Sequence, residues 1–131
     1  MSKRIAIIGG SFNPPGRHHT RIAEALGNTF DQVIIIPCGP RPDRQDDEDI
    51  SPIYRATMVD LAFRDMDKVQ VALFDLEHAT FTRTHQLQGR YASRGQVWHV
   101  IGADLVVGGR DGQSFIQREW EQGEHLWRTL N

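Results

Sequence analysis

The sequence holds one cysteine, Cys38, in 131 residues. A lone thiol excludes an internal disulfide framework, and no second cysteine or paired histidine beside it supports a thiol nucleophile. Long apolar runs are missing: none approaches the roughly 20 residues of a membrane span, so no membrane partner is expected. Excess positive charge is absent as well, since 15 Lys and Arg face 17 Asp and Glu for a net charge of −2. Nucleic-acid binding therefore has no electrostatic support. The six histidines do not fall at spacings that converge on zinc, and no protein metal site is expected. Repeats and low-complexity tracts are lacking too. The opening Met1-Ser2-Lys3-Arg4 leads into a strand instead of a signal peptide, so a cytoplasmic location is the expectation. What remains is a chain of ordinary composition, 39% hydrophobic and 24% charged, sized for one domain with a core.

What is present is organised around Gly9-Gly10-Ser11-Phe12-Asn13-Pro14-Pro15-Gly16-Arg17-His18-His19. The unbroken apolar run Arg4-Ile5-Ala6-Ile7-Ile8 before it suits a fully buried parallel strand. A helical pattern follows, with Ile22, Ala25 and Leu26 on one face. A strand that runs through a Gly-rich turn into a helix aims unpaired backbone N–H groups and the positive end of the helix dipole at one spot, which attracts phosphate. Ser11, Arg17, His18 and His19 can add side-chain donors there. A tight turn with a rigid Pro-Pro bend is the competing explanation of the same residues.

The rest of the chain alternates strand and helix. Strands are expected over residues 3–8, 32–36, 69–74 and 97–101, and helices over 19–27, from Ser51-Pro52 onward, over 82–92, and after Ser114. Ser114 with Gln117 three residues on forms a capping box. The acidic run Asp46-Asp47-Glu48-Asp49 reads as a solvated loop, and His99, inside a strand, as a structural histidine. Four strands separated by helices predict a parallel α/β sheet with right-handed crossovers.

The loop Gly9-Gly10-Ser11-Phe12-Asn13-Pro14 followed by His19 resembles the signature of the HxGH nucleotidyltransferase superfamily, and within it that of the nicotinate/nicotinamide mononucleotide adenylyltransferases. The family pattern is Gly-Gly-Ser/Thr-Phe-Asp/Asn-Pro running into His-x-Gly-His. This chain departs from it at Gly16, where the first histidine stands, and at His18, where the glycine stands. Gly16 is then either a tolerant position or one that requires φ > 0 after the two prolines. Gly102-Ala103-Asp104 matches a second family element at the end of the fourth strand.

The resemblance implies a Rossmann-like sheet of order 3-2-1-4 with ligand at the switch point between the first and fourth strands. It also implies adenylyl transfer from ATP, with Mg²⁺, to a mononucleotide. Catalysis falls to His19 with Arg17 and His18. ATP binding falls to Gly9, Gly10, Ser11, Phe12, Gly102 and Asp104, the loop residues acting through their backbone. Acceptor binding falls to Arg44, at a family lysine position, to Thr82, alternatively a helix N-cap, and to Trp120, alternatively a core tryptophan. Arg55 is expected to support the loop. Members carry a further strand and a Ser/Thr-Arg motif that nothing after Trp120 supplies. A chain shortened at its carboxyl end is therefore expected, with the fourth strand an open edge that favours self-association. Two alternatives stay open: a related transferase acting on phosphopantetheine or a polyol phosphate, and a degenerate nucleotide-binding module without turnover.

Overall fold

The computed structural model describes residues 2–40 and 51–131. Strand β1 (Arg4–Gly10) runs through the Gly-rich loop into helix α1 (Arg17–Gly27), and β2 (Gln32–Pro37) follows. Next come α2 (Pro52–Phe63), β3 (Val69–Val71), a single turn α3 (Phe74–Glu77), α4 (Thr84–Tyr91) and β4 (Gln96–Val100). Two short helices, α5 (Phe115–Glu119) and α6 (Gly123–Thr129), end the chain.

All strand pairs are parallel and the order is β3-β2-β1-β4, the Rossmann-like order expected. Alternation along each strand feeds two cores. Ala6, Ile8, Val33 and Ile35 meet Ala23 of α1 and Val59 and Phe63 of α2 on one face. Ile5, Ile7, Ile34 and Ile36 meet Leu87 and Tyr91 of α4 on the other. Because α4 crosses on the opposite face from α1 and α2, the direction of strand addition reverses between β1 and β4. The carboxyl ends of those two strands thus open a crevice.

Several boundaries differ from those expected. β1 continues two residues further, to Gly10, and α1 starts two residues earlier, at Arg17. The third strand stops at Val71, because Leu73 leaves the extended region (φ −101°, ψ 8°) and the chain turns into α3, whose Asp75 is tied to the loop that follows. The expected helix over 82–92 is shorter, Thr84–Tyr91, with Arg83 as N-cap in place of Thr82. The Ser114–Gln117 capping box forms as expected, with Gln117 N–H donating to Ser114 Oγ at 3.2 Å. The last helix, however, breaks into α5 and α6 at Gln122, whose φ is +58°. Gly123 permits this packing, since a Cβ there would lie 2.0 Å from the Ile116 carbonyl oxygen.

The edge of β4 is not bare. His99 N–H donates to the Asn131 carbonyl at 3.0 Å, and Asn131 Nδ2 donates to the Val97 carbonyl at 3.3 Å. Of the apolar residues near the end, Leu126 is buried against α5. No helix among the described residues is long and apolar enough to cross a membrane.

Candidate active site

The corner between β1 and α1 is held by three anchors. Phe12 adopts φ +47° and turns its ring into the core, where it is 2% exposed and meets Phe63 edge-on at 6.3 Å. Only the backbone of Phe12 is left to face a ligand. Arg55, 3% exposed on α2, donates from Nη1 to the Ser11 carbonyl at 2.7 Å, the loop-supporting part expected of it. His19 closes the corner: its Nδ1 accepts the Gly16 backbone N–H at 2.9 Å, as the glutamate of a capping box would.

That bond fixes the chemistry of His19. A ring nitrogen that accepts carries no proton, so the neutral ring holds its proton on Nε2 and presents a donor there. Burial, and secondarily the like charge of His18, lower the His19 pKa below 6.5 and so favour this neutral form. The Phe12 ring packs edge-on against His19 at 4.7 Å and fixes the imidazole plane from the other side. Gly16 has φ −103° and ψ 172°, ordinary extended backbone, so the positive φ considered from sequence is not what holds glycine there.

Beside this corner lies a cavity of about 210 Å³ at the carboxyl ends of β1, β2 and β4. Gly9 and Gly10 form its floor, Thr82 and Phe81 one wall, Gly102 and Trp120 the other. The Thr82 wall hangs on one buried carboxylate. Asp75, 2% exposed, accepts from Thr82 N–H at 2.9 Å, Thr82 Oγ1 at 2.6 Å and Thr80 Oγ1 at 2.8 Å. Gly39, just after β2, donates its N–H to the Thr80 carbonyl at 2.8 Å, and a Cβ there would lie 2.3 Å from that oxygen. Gly39 is therefore required by close approach. Asp104, exposed, folds its carboxylate over Gly102, with Oδ1 2.5 Å from where a Cβ on residue 102 would stand.

The structure thus joins Gly9, Gly10, Thr82, Gly102 and Trp120 around one cavity. Ser11, Phe12, Arg17, His18 and His19 belong to the adjoining corner, and the two glycines connect the parts. Thr82 is not a helix cap, and half-buried Trp120 lines the cavity as the last wall before a second apolar space bounded by Ile116, Leu126 and Trp127. Arg44 and the acidic run lie outside the described residues. His99 is tied to Gln88 through Nε2 at 2.9 Å, and burial lowers its pKa, which fits the structural part expected. Sequence reasoning gave no part to Asp75; the three donors that converge on its carboxylate emerge only from the fold.

The fold is that of the nucleotidyltransferase superfamily. The cytidylyltransferase-like family model matches residues 7–126, and the chain belongs to that family. Among curated relatives, it is similar to nicotinate-nucleotide adenylyltransferase of Bacillus subtilis, 29% identical over 110 residues covering 79% of this chain and 58% of that protein. It is also similar to a probable nicotinate-nucleotide adenylyltransferase of Neisseria gonorrhoeae, 33% identical over 110 residues covering 80% of this chain and 54% of that one. Among solved structures it matches Plasmodium falciparum nicotinic acid mononucleotide adenylyltransferase complexed with NaAD, at TM-score 0.70 and 25% identity, over 95% of this chain and 60% of that one. The chain spans between 54% and 61% of the length of these curated relatives and of a further one from Chromobacterium violaceum.

Proposed function

We propose that this chain carries the adenylyl-transfer core of a nicotinate or nicotinamide mononucleotide adenylyltransferase. The observation that carries this reading is the single cavity in which Gly9 and Gly10, next to the helix mouth, face Thr82, Gly102 and Trp120 across the β1/β4 crevice. A phosphate-binding corner that opens directly onto an aromatic-walled pocket suits a reaction joining two nucleotides. Trp120 offers a face for a pyridine ring, which favours a pyridine mononucleotide over phosphopantetheine or a polyol phosphate as acceptor.

In this reaction a phosphate oxygen of the acceptor forms a bond to the α-phosphorus of ATP. The bond from that phosphorus to the bridging oxygen breaks, and pyrophosphate leaves with the electron pair. No protein nucleophile is required, so the protein contributes positioning and charge stabilisation. Backbone N–H groups of the loop receive phosphate oxygens. His19, neutral and protonated on Nε2, donates to the oxygens that gain charge, with Arg17 and His18 beside it. Gly102 lets the adenosine sugar approach the backbone, and Asp104 accepts from its hydroxyls. Among the described residues no group of three or more His, Cys, Asp or Glu side chains could hold a metal. Mg²⁺ would enter with the ATP substrate, held mostly by phosphate oxygens and water, and would offset charge on the phosphates.

Incubation with Mg-ATP and each acceptor in turn, with products identified by mass, tests the reading. Dinucleotide and pyrophosphate from nicotinate or nicotinamide mononucleotide support it. ATP binding with no product from any acceptor rejects it in favour of a nucleotide-binding module. Replacement of His19 by alanine is expected to cost about 10²–10³ in turnover with a much smaller change in KM, as loss of one preorganised donor does.

A further inference from the structure

Residues 16 and 18 are spatially interlocked. A Cβ built on Gly16 would lie 2.7 Å from both Cε1 and Nδ1 of the His18 ring, so that ring fills the space into which a side chain at 16 would project. The same ring lies against His19, with centroids 3.8 Å apart and planes tilted by 40°. The Gly16 backbone is in an ordinary extended conformation that any residue adopts. Nothing in the backbone therefore asks for glycine; the His18 imidazole does.

We propose that His18 is a positioning residue of this site, its imidazole occupying the volume of an absent side chain at residue 16 and bracing His19, so that positions 16 and 18 have exchanged their side chains. The inference rests on the functional reading above only for its kinetic consequence; the packing consequence stands apart from it. The two imidazoles and the Phe12 ring form one cluster around His19, His18 tilted by 40° with centroids 3.8 Å apart and Phe12 edge-on at 4.7 Å. Like charge from His18 also bears on the His19 titration. Among the described residues, cations near the loop include Arg17, on the same helix, and Arg55, which reaches it from α2 through the Ser11 carbonyl. Within this arrangement His18 keeps His19 neutral and oriented, with Gly16 N–H held on Nδ1.

The exchange has a distinctive test. His18→Ala removes the ring; Gly16→Ala leaves it in the chain but evicts it from its place, with no backbone strain. Both single variants are expected to raise the His19 pKa measured by NMR titration and to lower turnover by about tenfold, an interaction of the size that contacting groups show. Gly16→His combined with His18→Ala returns an imidazole to the same volume from the other backbone position. It is expected to bring the His19 titration back toward wild type and to recover most of the lost turnover. Gly16→Ala combined with His18→Ala, which returns only a methyl group, is expected to recover neither. The proposal is overturned if His18→Ala leaves the His19 titration unchanged, or if the histidine and alanine double variants behave alike. Should the wild-type chain yield no dinucleotide, the functional reading fails, while the four titration curves still decide this one.

Discussion

The corner at residues 9–19 and the cavity wall around Asp75 do adjacent jobs by opposite means. The corner is almost contiguous in sequence, and its decisive bond, Gly16 N–H to His19 Nδ1, spans three residues. Its long-range polar braces include Arg55 on the Ser11 carbonyl, 44 residues away, and the Cys38 N–H on the Gly10 carbonyl at 2.9 Å. The wall gathers Gly39, Asp75, Thr80 and Thr82 from two strand ends, and its stability is concentrated in a single buried carboxylate. A contiguous corner depends chiefly on local geometry, which the Phe12 and Arg55 anchors hold in place. A wall hung on one acceptor fails when that acceptor goes. Damage to each part should therefore show in a different substrate.

The largest expected effect is at Phe12. Truncation to alanine empties a core site and removes the edge contact that orients His19, so unfolding in urea should show a loss of about 4 kcal/mol. ATP affinity should fall with it while affinity for the mononucleotide changes little. Equal losses for both substrates would break the division between corner and wall.

Asp75→Ala comes next. It strands the hydroxyls of Thr80 and Thr82 and the Thr82 N–H, and should cost about 3 kcal/mol of stability. Here the mononucleotide should bind more weakly, with ATP affinity largely kept, both measurable by calorimetry. Unchanged mononucleotide binding would remove Thr82 from the acceptor site.

A smaller effect is expected from acid. His19 and His99 both have pKa values lowered by burial, so near and below pH 6.5 the unfolded chain takes up protons that the folded chain resists. Stability therefore declines as pH falls from about 6.5 toward the folded pKa values, and is fully restored above it. Thermal unfolding between pH 7.5 and pH 5.5, taken as an order-of-magnitude span around the usual histidine value, should show the midpoint falling. The fall should be shallower in His99→Asn, which removes one of the two groups.

The same contrast decides what sequence could reveal. The corner was legible because its signals are local: an apolar run, glycines, and donors at a helix start. The sheet order and the place of Gly102 at the end of the fourth strand, on the cavity, were legible through family resemblance. Their physical basis, the reversal of strand addition between β1 and β4, is a property of the assembled sheet. Thr82 of the wall was named through the family resemblance, while the part of Asp75 stayed hidden, because only three donors that converge in the fold reveal it as a buried brace. β3 ended early for the same reason, since the chain bends toward those donors at Leu73. Gly16 illustrates a finer limit. Glycine in a turn suggests positive φ, whereas here a neighbouring ring two residues on takes the space. The split between α5 and α6 rests on Gln122 at φ +58°, a residue with no turn signature of its own.

The central claim is that Gly9 and Gly10 join the corner and the cavity into one site for two nucleotides. The most direct test is a crystal structure of this chain soaked with nicotinate adenine dinucleotide. The account predicts one continuous ligand, its phosphates against the backbone of residues 9–12 and the mouth of α1, its pyridine ring in the cavity against Trp120. Density away from that loop, or a ligand whose pyridine lies outside the cavity walled by Thr82 and Trp120, would contradict it.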